Sequence, residues 1–99
     1  MQILKTEENG ALILSLEGRL DTVTSPDFQE VLIPAIDEAK DVKLNFEKLD
    51  YVSSAGLRIL LMGQKAASEK GCSFILTSVS SEIMEVLEMT GFTDLLTIE

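Results

Sequence analysis

Apolar and polar residues alternate near the start of the chain, in a pattern typical of strands. Residues 11–17 carry a leucine at every second position from residue 12 onward, as in a strand with one buried face. A shorter strand-like run covers residues 2–7, and Asn9-Gly10 lies between the two runs. Because this dipeptide tolerates the positive φ angles of a tight turn, the pattern predicts a β-hairpin.

The apolar spacing becomes helical after residue 24. Thr24 or Ser25 is a candidate N-cap, and Pro26 suits a first helical turn. The stripe at helical spacing consists of Phe28, Val31, Leu32, Ala35, Ile36 and Ala39. Pro34 lies inside this stretch, and its missing N–H and its ring predict a bend in the helix.

Strand-like and helix-like segments then alternate to the end of the chain. The predicted elements are a strand over 42–46, a helix over 53–70 ended by Gly71, a strand over 73–77, a helix from cap Ser80 through Thr90 stopped by Gly91, and a strand over 95–98. The order ββαβαβαβ predicts an α/β fold, a mixed sheet of about five strands with parallel crossovers, covered by three or more helices. With 99 residues and no linker, one domain over 1–99 is expected.

The charge of the chain disfavours two classes of partner. Seventeen acidic residues against eight basic ones give a net charge of −9, which nucleic-acid phosphates and anionic membrane surfaces repel. The N-terminus has no signal-peptide pattern, and no apolar run approaches the ~20 residues of a membrane span. We therefore expect a cytoplasmic protein that binds neither nucleic acid nor membrane.

The residue inventory also argues against catalysis. The chain has no histidine, which removes the usual general base near neutral pH and the commonest metal ligand. Its single cysteine has no partner for a disulfide, and no phosphate-binding or dinucleotide-binding glycine motif occurs. We expect no enzyme, no metal site and no cofactor.

Two adjacent serines, Ser53 and Ser54, stand where the strand-like run LDYV meets the helix-like run beginning at Leu57. Ser53 suits the N-cap of the helix, and capping requires only one of the two. A hydroxyl in the first helical turn can accept a phosphate charge of about −1.5 to −2 without unfolding the helix, because the helix dipole favours negative charge there. Arg58 follows one turn later, either as a phosphate ligand or as a solvated helix residue.

Three stretches of the chain resemble the STAS superfamily, in particular the bacterial anti-sigma factor antagonists. They are LSLEGRLD at residues 14–21, VKLNF at 42–46 with LDYVSSAGLR at 49–58, and EIMEVLEMTGF at 82–92. The resemblance runs nearly end to end.

The resemblance implies a phosphorylation-switched binding module. In that family an anti-sigma factor, itself a GHKL-type serine kinase that uses ATP and Mg²⁺, phosphorylates the serine two residues before the signature glycine. Carried across, that serine is Ser54. The unphosphorylated antagonist binds the anti-sigma factor and frees a sigma factor, which promotes transcription, and a PP2C-type phosphatase restores the binding form.

The resemblance also implies a partner-binding surface. Its predicted members are Asp21, Thr22, Ser53, Ser54, Gly56 and Arg58. Asp21 matches the family's acidic residue near the serine, although a turn or capping carboxylate is an equal alternative for it. Ser53 and Ala55 depart from the family pattern, which often has Asp before the serine and Ser or Thr after it, so Ser53 is a secondary candidate for phosphorylation.

A second function remains open on the sequence alone. A STAS module can dock constitutively in a lipid or anion transporter or in a stress-signalling complex. In that case Ser54 would belong only to the helix start.

Overall fold

The computed structural model describes residues 1–38 and 41–99, and these ranges contain five strands, three α-helices and one short 3₁₀ helix. The elements are β1 Gln2–Glu8, β2 Ala11–Leu20, α1 Ser25–Asp37, β3 Asp41–Val52, α2 Ser54–Lys70, β4 Phe74–Thr77, α3 Ser81–Met89, a 3₁₀ helix Phe92–Asp94 and β5 Thr97–Ile98. This confirms the predicted α/β fold and its order ββαβαβαβ. Ala39, predicted as part of the first apolar stripe, lies outside the described residues.

The strands form one mixed sheet in the order β1-β2-β3-β4-β5. β1 pairs antiparallel with β2 through the predicted turn, where Asn9 and Gly10 have φ angles of 53° and 84°. β2, β3, β4 and β5 pair in parallel, so their carboxyl ends lie at one edge of the sheet. We call this the carboxyl edge, and Leu20 and Val52 are register partners there.

β2 and β3 both run further than the alternating pattern predicted. The prediction ended them at residues 17 and 46, whereas they end at Leu20 and Val52. The pairing shows the cause: the register shifts twice, and each shift inserts one extra residue into β3. Because each bulge interrupts the two-residue period, the buried positions after Phe46 are spaced by three, at Leu49 and Val52.

The helix ends follow the predicted signals except at the start of α1. Thr24 holds the N-cap position of α1, but its side chain makes no capping hydrogen bond. α1 continues through Pro34 to Asp37, and the bend at the proline stays a prediction. Gly71 ends α2 with a φ of 73°, and Ser80 caps α3 by accepting a hydrogen bond from the Ile83 N–H.

The last strand is shorter than predicted. The backbone N–H groups of Leu95 and Leu96 donate to the Phe92 carbonyl at 3.0 and 2.9 Å. Since these bonds hold residues 92–96 in a tight turn, β5 contains only Thr97–Ile98 instead of 95–98.

The core lies between the sheet and the helices and fixes how α2 meets the strands. Fully buried side chains come from both layers, including Leu14, Phe28, Phe46, Leu60 and Leu76. Gly63 of α2 faces Leu32 and Phe74 so closely that an added Cβ would lie 2.9 to 3.0 Å from their side-chain atoms. α2 is thereby seated tightly, and its first turn is held at the carboxyl edge.

Candidate functional site

Ser53 is the N-cap of α2, as predicted. Its Oγ accepts a hydrogen bond from the Gly56 N–H at 3.2 Å, and its carbonyl accepts from the Leu57 N–H at 2.9 Å. The backbone is extended at Ser53, with φ −88° and ψ 173°, which is the usual conformation of a cap. The half-buried Ser53 hydroxyl therefore caps the N-terminus of α2.

Ser54 is the first residue of α2, and its side chain is exposed. Its hydroxyl makes no hydrogen bond with any other residue in the ranges 1–38 and 41–99. The first turn of α2 contains no acidic residue, whereas the first turns of α1 and α3 contain Asp27 and Glu82. The positive end of the α2 dipole thus has no carboxylate in its own first turn, and the Ser54 hydroxyl lies in that turn.

The first turn of α2 rests directly on the end of β2. The Ser53 N–H donates to the Leu20 carbonyl at 2.8 Å. A Cβ added to Gly56 would lie 2.7 Å from Leu20 Cγ and 3.1 Å from the Leu20 carbonyl oxygen. Glycine at position 56 therefore lets the helix approach the strand closely enough to form this hydrogen bond.

Asp21 organises the turn that leads from β2 to α1. One carboxylate oxygen, Oδ1, accepts hydrogen bonds from the Val23 and Thr24 N–H groups at 3.0 and 3.1 Å. The Thr24 hydroxyl accepts from the Asp21 N–H at 2.9 Å and donates to the Arg19 carbonyl at 2.8 Å. The turn alternative for Asp21 is thus confirmed, and a contact with a partner stays a prediction.

The other Asp21 oxygen faces Arg19. Arg19 Nε lies 3.8 Å from Asp21 Oδ2, and the Arg19 Cζ lies 4.2 Å from the centre of the Tyr51 ring. Arg19 and Tyr51 are register partners on β2 and β3, so their side chains share one face of the sheet. The pKa of Asp21 is held below its ordinary value, chiefly by the hydrogen bond from the Thr24 N–H and also by Arg19.

The six predicted site residues fall on two adjacent segments at the carboxyl edge. Asp21 and the exposed Thr22 belong to the turn after β2, and the other four belong to the start of α2. Arg58 is exposed and forms no ion pair within the described part of the chain, so its role as a phosphate ligand stays a prediction.

Sequence reasoning missed two exposed residues at this edge. Val23 has 83% of its surface in solvent and Tyr51 has 41%. Valine within a turn was an available signal, because turns favour small or polar residues. Tyr51 gave no such signal, because it lies beyond the strand that was predicted over 42–46.

The described residues, 1–38 and 41–99, contain neither a membrane-spanning helix nor a metal-binding cluster. None of the helices in these ranges is long and apolar enough to cross a membrane. No group of three or more cysteine or carboxylate side chains in the same ranges is arranged to hold a metal ion.

Comparison with known proteins identifies the family to which the chain belongs. The STAS domain model matches residues 2–99. The anti-sigma-B factor antagonist of Staphylococcus aureus is 30% identical over 97 residues, which cover 97% of this chain and 90% of that protein. The chain therefore belongs to the STAS domain family.

Solved structures support the same fold. An anti-sigma factor antagonist from Mycobacterium paratuberculosis superposes with a TM-score of 0.89 at 16% identity, covering 98% of this chain and 83% of that one. The Bacillus cell fate determinant SpoIIAA in its phosphorylated form superposes with a TM-score of 0.76 at 18% identity, covering 99% and 91%. At these identities the likeness establishes the fold alone.

Replacing Gly56 by alanine should destabilise the protein, although alanine is the better helix former. The added Cβ would overlap the fully buried side chain of Leu20 and lie 3.1 Å from its carbonyl oxygen, so we expect a loss of about 1–3 kcal/mol in the free energy of unfolding. Urea unfolding followed by circular dichroism measures it. Ser68→Ala, an exposed change in the same helix, is the control, and equal stability of the two variants would refute the close contact.

Replacing Asp21 by asparagine should change how stability depends on pH. Because the folded pKa of Asp21 lies below the reference value of 3.8, its ionised form contributes stability above that value and loses the contribution as pH falls through the folded pKa. The difference in unfolding free energy between wild type and Asp21→Asn should therefore be constant above about pH 5 and shrink below about pH 4. A difference that stays constant from pH 6 to pH 2 would contradict a lowered pKa of Asp21 in the folded state.

Proposed function

We propose that this protein is an anti-sigma factor antagonist whose docking is switched by phosphorylation of Ser54. The observation that carries the proposal is the pair of serines at the start of α2: the Ser53 hydroxyl accepts the capping hydrogen bond, and the adjacent Ser54 hydroxyl is exposed. The S. aureus relative, an anti-sigma-B factor antagonist, supports this function. The domain acts as a regulatory binding module and not as an enzyme.

Phosphorylation transfers the γ-phosphoryl group of ATP to Ser54 Oγ. The bond between the γ-phosphorus and the bridging oxygen breaks, ADP leaves, and the hydroxyl loses its proton. The kinase is the anti-sigma factor itself, of the GHKL type with Mg²⁺, and supplies all of this chemistry. A PP2C-type phosphatase reverses it by hydrolysing the phosphoserine.

The fold tolerates the new charge. A phosphate on Ser54 lies at the positive end of the α2 dipole, which favours it by roughly 0.3–2 kcal/mol. No carboxylate stands in that first turn to repel the phosphate, and Arg58 lies one turn further along the helix. The domain therefore keeps its structure in both states.

The partner interface does not tolerate the charge. A phosphate carries about −1.5 to −2 charges at neutral pH, and burying it without a matched cation costs several kcal/mol. Since about 2.7 kcal/mol already weakens binding a hundredfold, the loss of affinity outweighs the small gain within the helix. Phosphorylation thus releases the anti-sigma factor, which can then hold its sigma factor, and dephosphorylation restores transcription.

Incubation with the GHKL-type anti-sigma kinase of the same organism and ATP with Mg²⁺ should place one phosphate on Ser54. Ser53 should remain unmodified because its hydroxyl is half-buried and capping. Ser81 is the internal comparison, since it is also the exposed first residue of a helix after a capping serine. Mass spectrometry of tryptic peptides locates the phosphate.

An active kinase that leaves Ser54 unlabelled would reject the switch. Constitutive docking in a transporter or stress-signalling complex would then be the better account of the domain.

Replacing Ser54 by aspartate should weaken binding to the anti-sigma kinase, by up to about a hundredfold if the interface desolvates the charge. The kinase is used without nucleotide, so that it cannot phosphorylate the protein. Ser54→Ala should bind like wild type, and Ser81→Asp is the charge-matched control that should also bind like wild type. Isothermal titration calorimetry gives the affinities. Equal weakening by Ser54→Asp and Ser81→Asp would show that net charge alone, and not the site, governs binding.

A further inference from the structure

Val23 is an apolar side chain that is hardly buried in its own fold. Of its surface, 83% is in solvent, more than for any other large hydrophobic residue in the described ranges. Turns are usually built from residues that bond the backbone or permit unusual φ angles, and valine does neither. Because burial of apolar surface is what stabilises a fold, Val23 contributes almost nothing to stability from this position.

The turn that carries Val23 is fixed by hydrogen bonds on both sides of it. The Val23 N–H donates to Asp21 Oδ1 at 3.0 Å, and the Thr24 hydroxyl donates to the Arg19 carbonyl at 2.8 Å. Ser25 is buried, and its hydroxyl donates to the Asp21 carbonyl at 2.6 Å. A side chain presented by such a pre-organised turn loses little backbone entropy when it docks.

The same turn is connected to the candidate switch. It begins directly after Leu20, whose carbonyl accepts the Ser53 N–H at 2.8 Å and whose side chain contacts Gly56 closely. Val23 and Ser54 therefore lie on two chain segments that follow neighbouring strands. The contact of Leu20 with Ser53 and Gly56 links these segments. Both segments therefore belong to the carboxyl edge of the sheet.

We propose that Val23 is the apolar anchor that inserts into a hydrophobic pocket of the anti-sigma kinase, and that Asp21 is a positioning residue for it. This inference rests on the proposed function and names residues that determine the strength of docking. Both carboxylate oxygens of Asp21 face groups of the same chain: Oδ1 bonds the turn, and Oδ2 faces Arg19. Asp21 thus acts on binding through the turn that presents Val23.

Calorimetric titration of the nucleotide-free kinase with four variants tests both halves of the proposal. Val23→Ser should weaken binding by about tenfold or more, as expected for a central apolar anchor, while its thermal midpoint stays at or above that of wild type. Met89→Ser is the matched control, because Met89 is 81% exposed and is the last residue of α3, which contains none of the six candidate site residues. It should bind like wild type.

Asp21→Asn and Asp21→Ala separate positioning from contact. The asparagine keeps an oxygen that can accept the Val23 and Thr24 N–H bonds, so it should retain most of the affinity. The alanine removes the acceptor and should weaken binding about as much as Val23→Ser.

Three outcomes would overturn these assignments. Wild-type affinity in Val23→Ser, with Ser54→Asp still weakened, would refute the anchor and leave the proposed function standing. Equal loss in Asp21→Asn and Asp21→Ala would assign the Asp21 charge to the partner contact and refute its positioning role. A wild-type protein that does not bind the kinase at all would overturn the proposed function and this inference together.

Discussion

The contact between the end of β2 and the first turn of α2 is the constraint on which the site depends. The Leu20 carbonyl accepts the Ser53 N–H, and the Leu20 side chain occupies the space that a side chain at Gly56 would need. This contact fixes where α2 begins relative to the turn after β2. Ser53 and Gly56 are both held against Leu20, whereas the Ser54 side chain between them is exposed.

The same contact explains why the Ser53 hydroxyl caps the helix and the Ser54 hydroxyl does not. A helix start needs one side-chain acceptor, and Ser53 provides it to the Gly56 N–H. The second hydroxyl is then surplus to folding, and it stands at a helix terminus where negative charge is favourable. Under the proposed function, a phosphate there would alter the surface that a partner meets and leave the helix intact. The proposed switch would therefore use a different hydroxyl group from the one that caps the helix.

Much of the fold could be predicted from local signals in the sequence. The hairpin at Asn9-Gly10, the cap at Ser80 and the stop at Gly71 each depend on neighbouring residues only, so the pattern was sufficient. The length of β3 could not be predicted in this way, since its two bulges exist only in the pairing with β2. Because those bulges interrupt the alternation after Phe46, the strand was predicted six residues short of Val52.

Part of the local geometry at the candidate site could also be predicted from the sequence. The serine pair carries a local signal, and the structure places Ser53 as the cap and Ser54 in solvent. The hydrogen bonds from the Val23 and Thr24 N–H groups to Asp21 depend on how the turn folds. The sequence alone therefore could not show whether Asp21 holds the turn or is free to contact a partner. Val23 did carry a local signal, as a valine within a turn, but its exposed fraction is known only from the structure.

The central claim is that a phosphate on Ser54 changes docking without changing the scaffold. Two-dimensional ¹H–¹⁵N NMR spectra of the protein before and after phosphorylation, with amide hydrogen exchange, test this most directly. We expect shift changes confined to the first turn of α2 and the adjoining residues 21–24, with exchange protection of the strands unchanged. Loss of protection in β2 or β3, or shifts spread through the whole sheet, would contradict it.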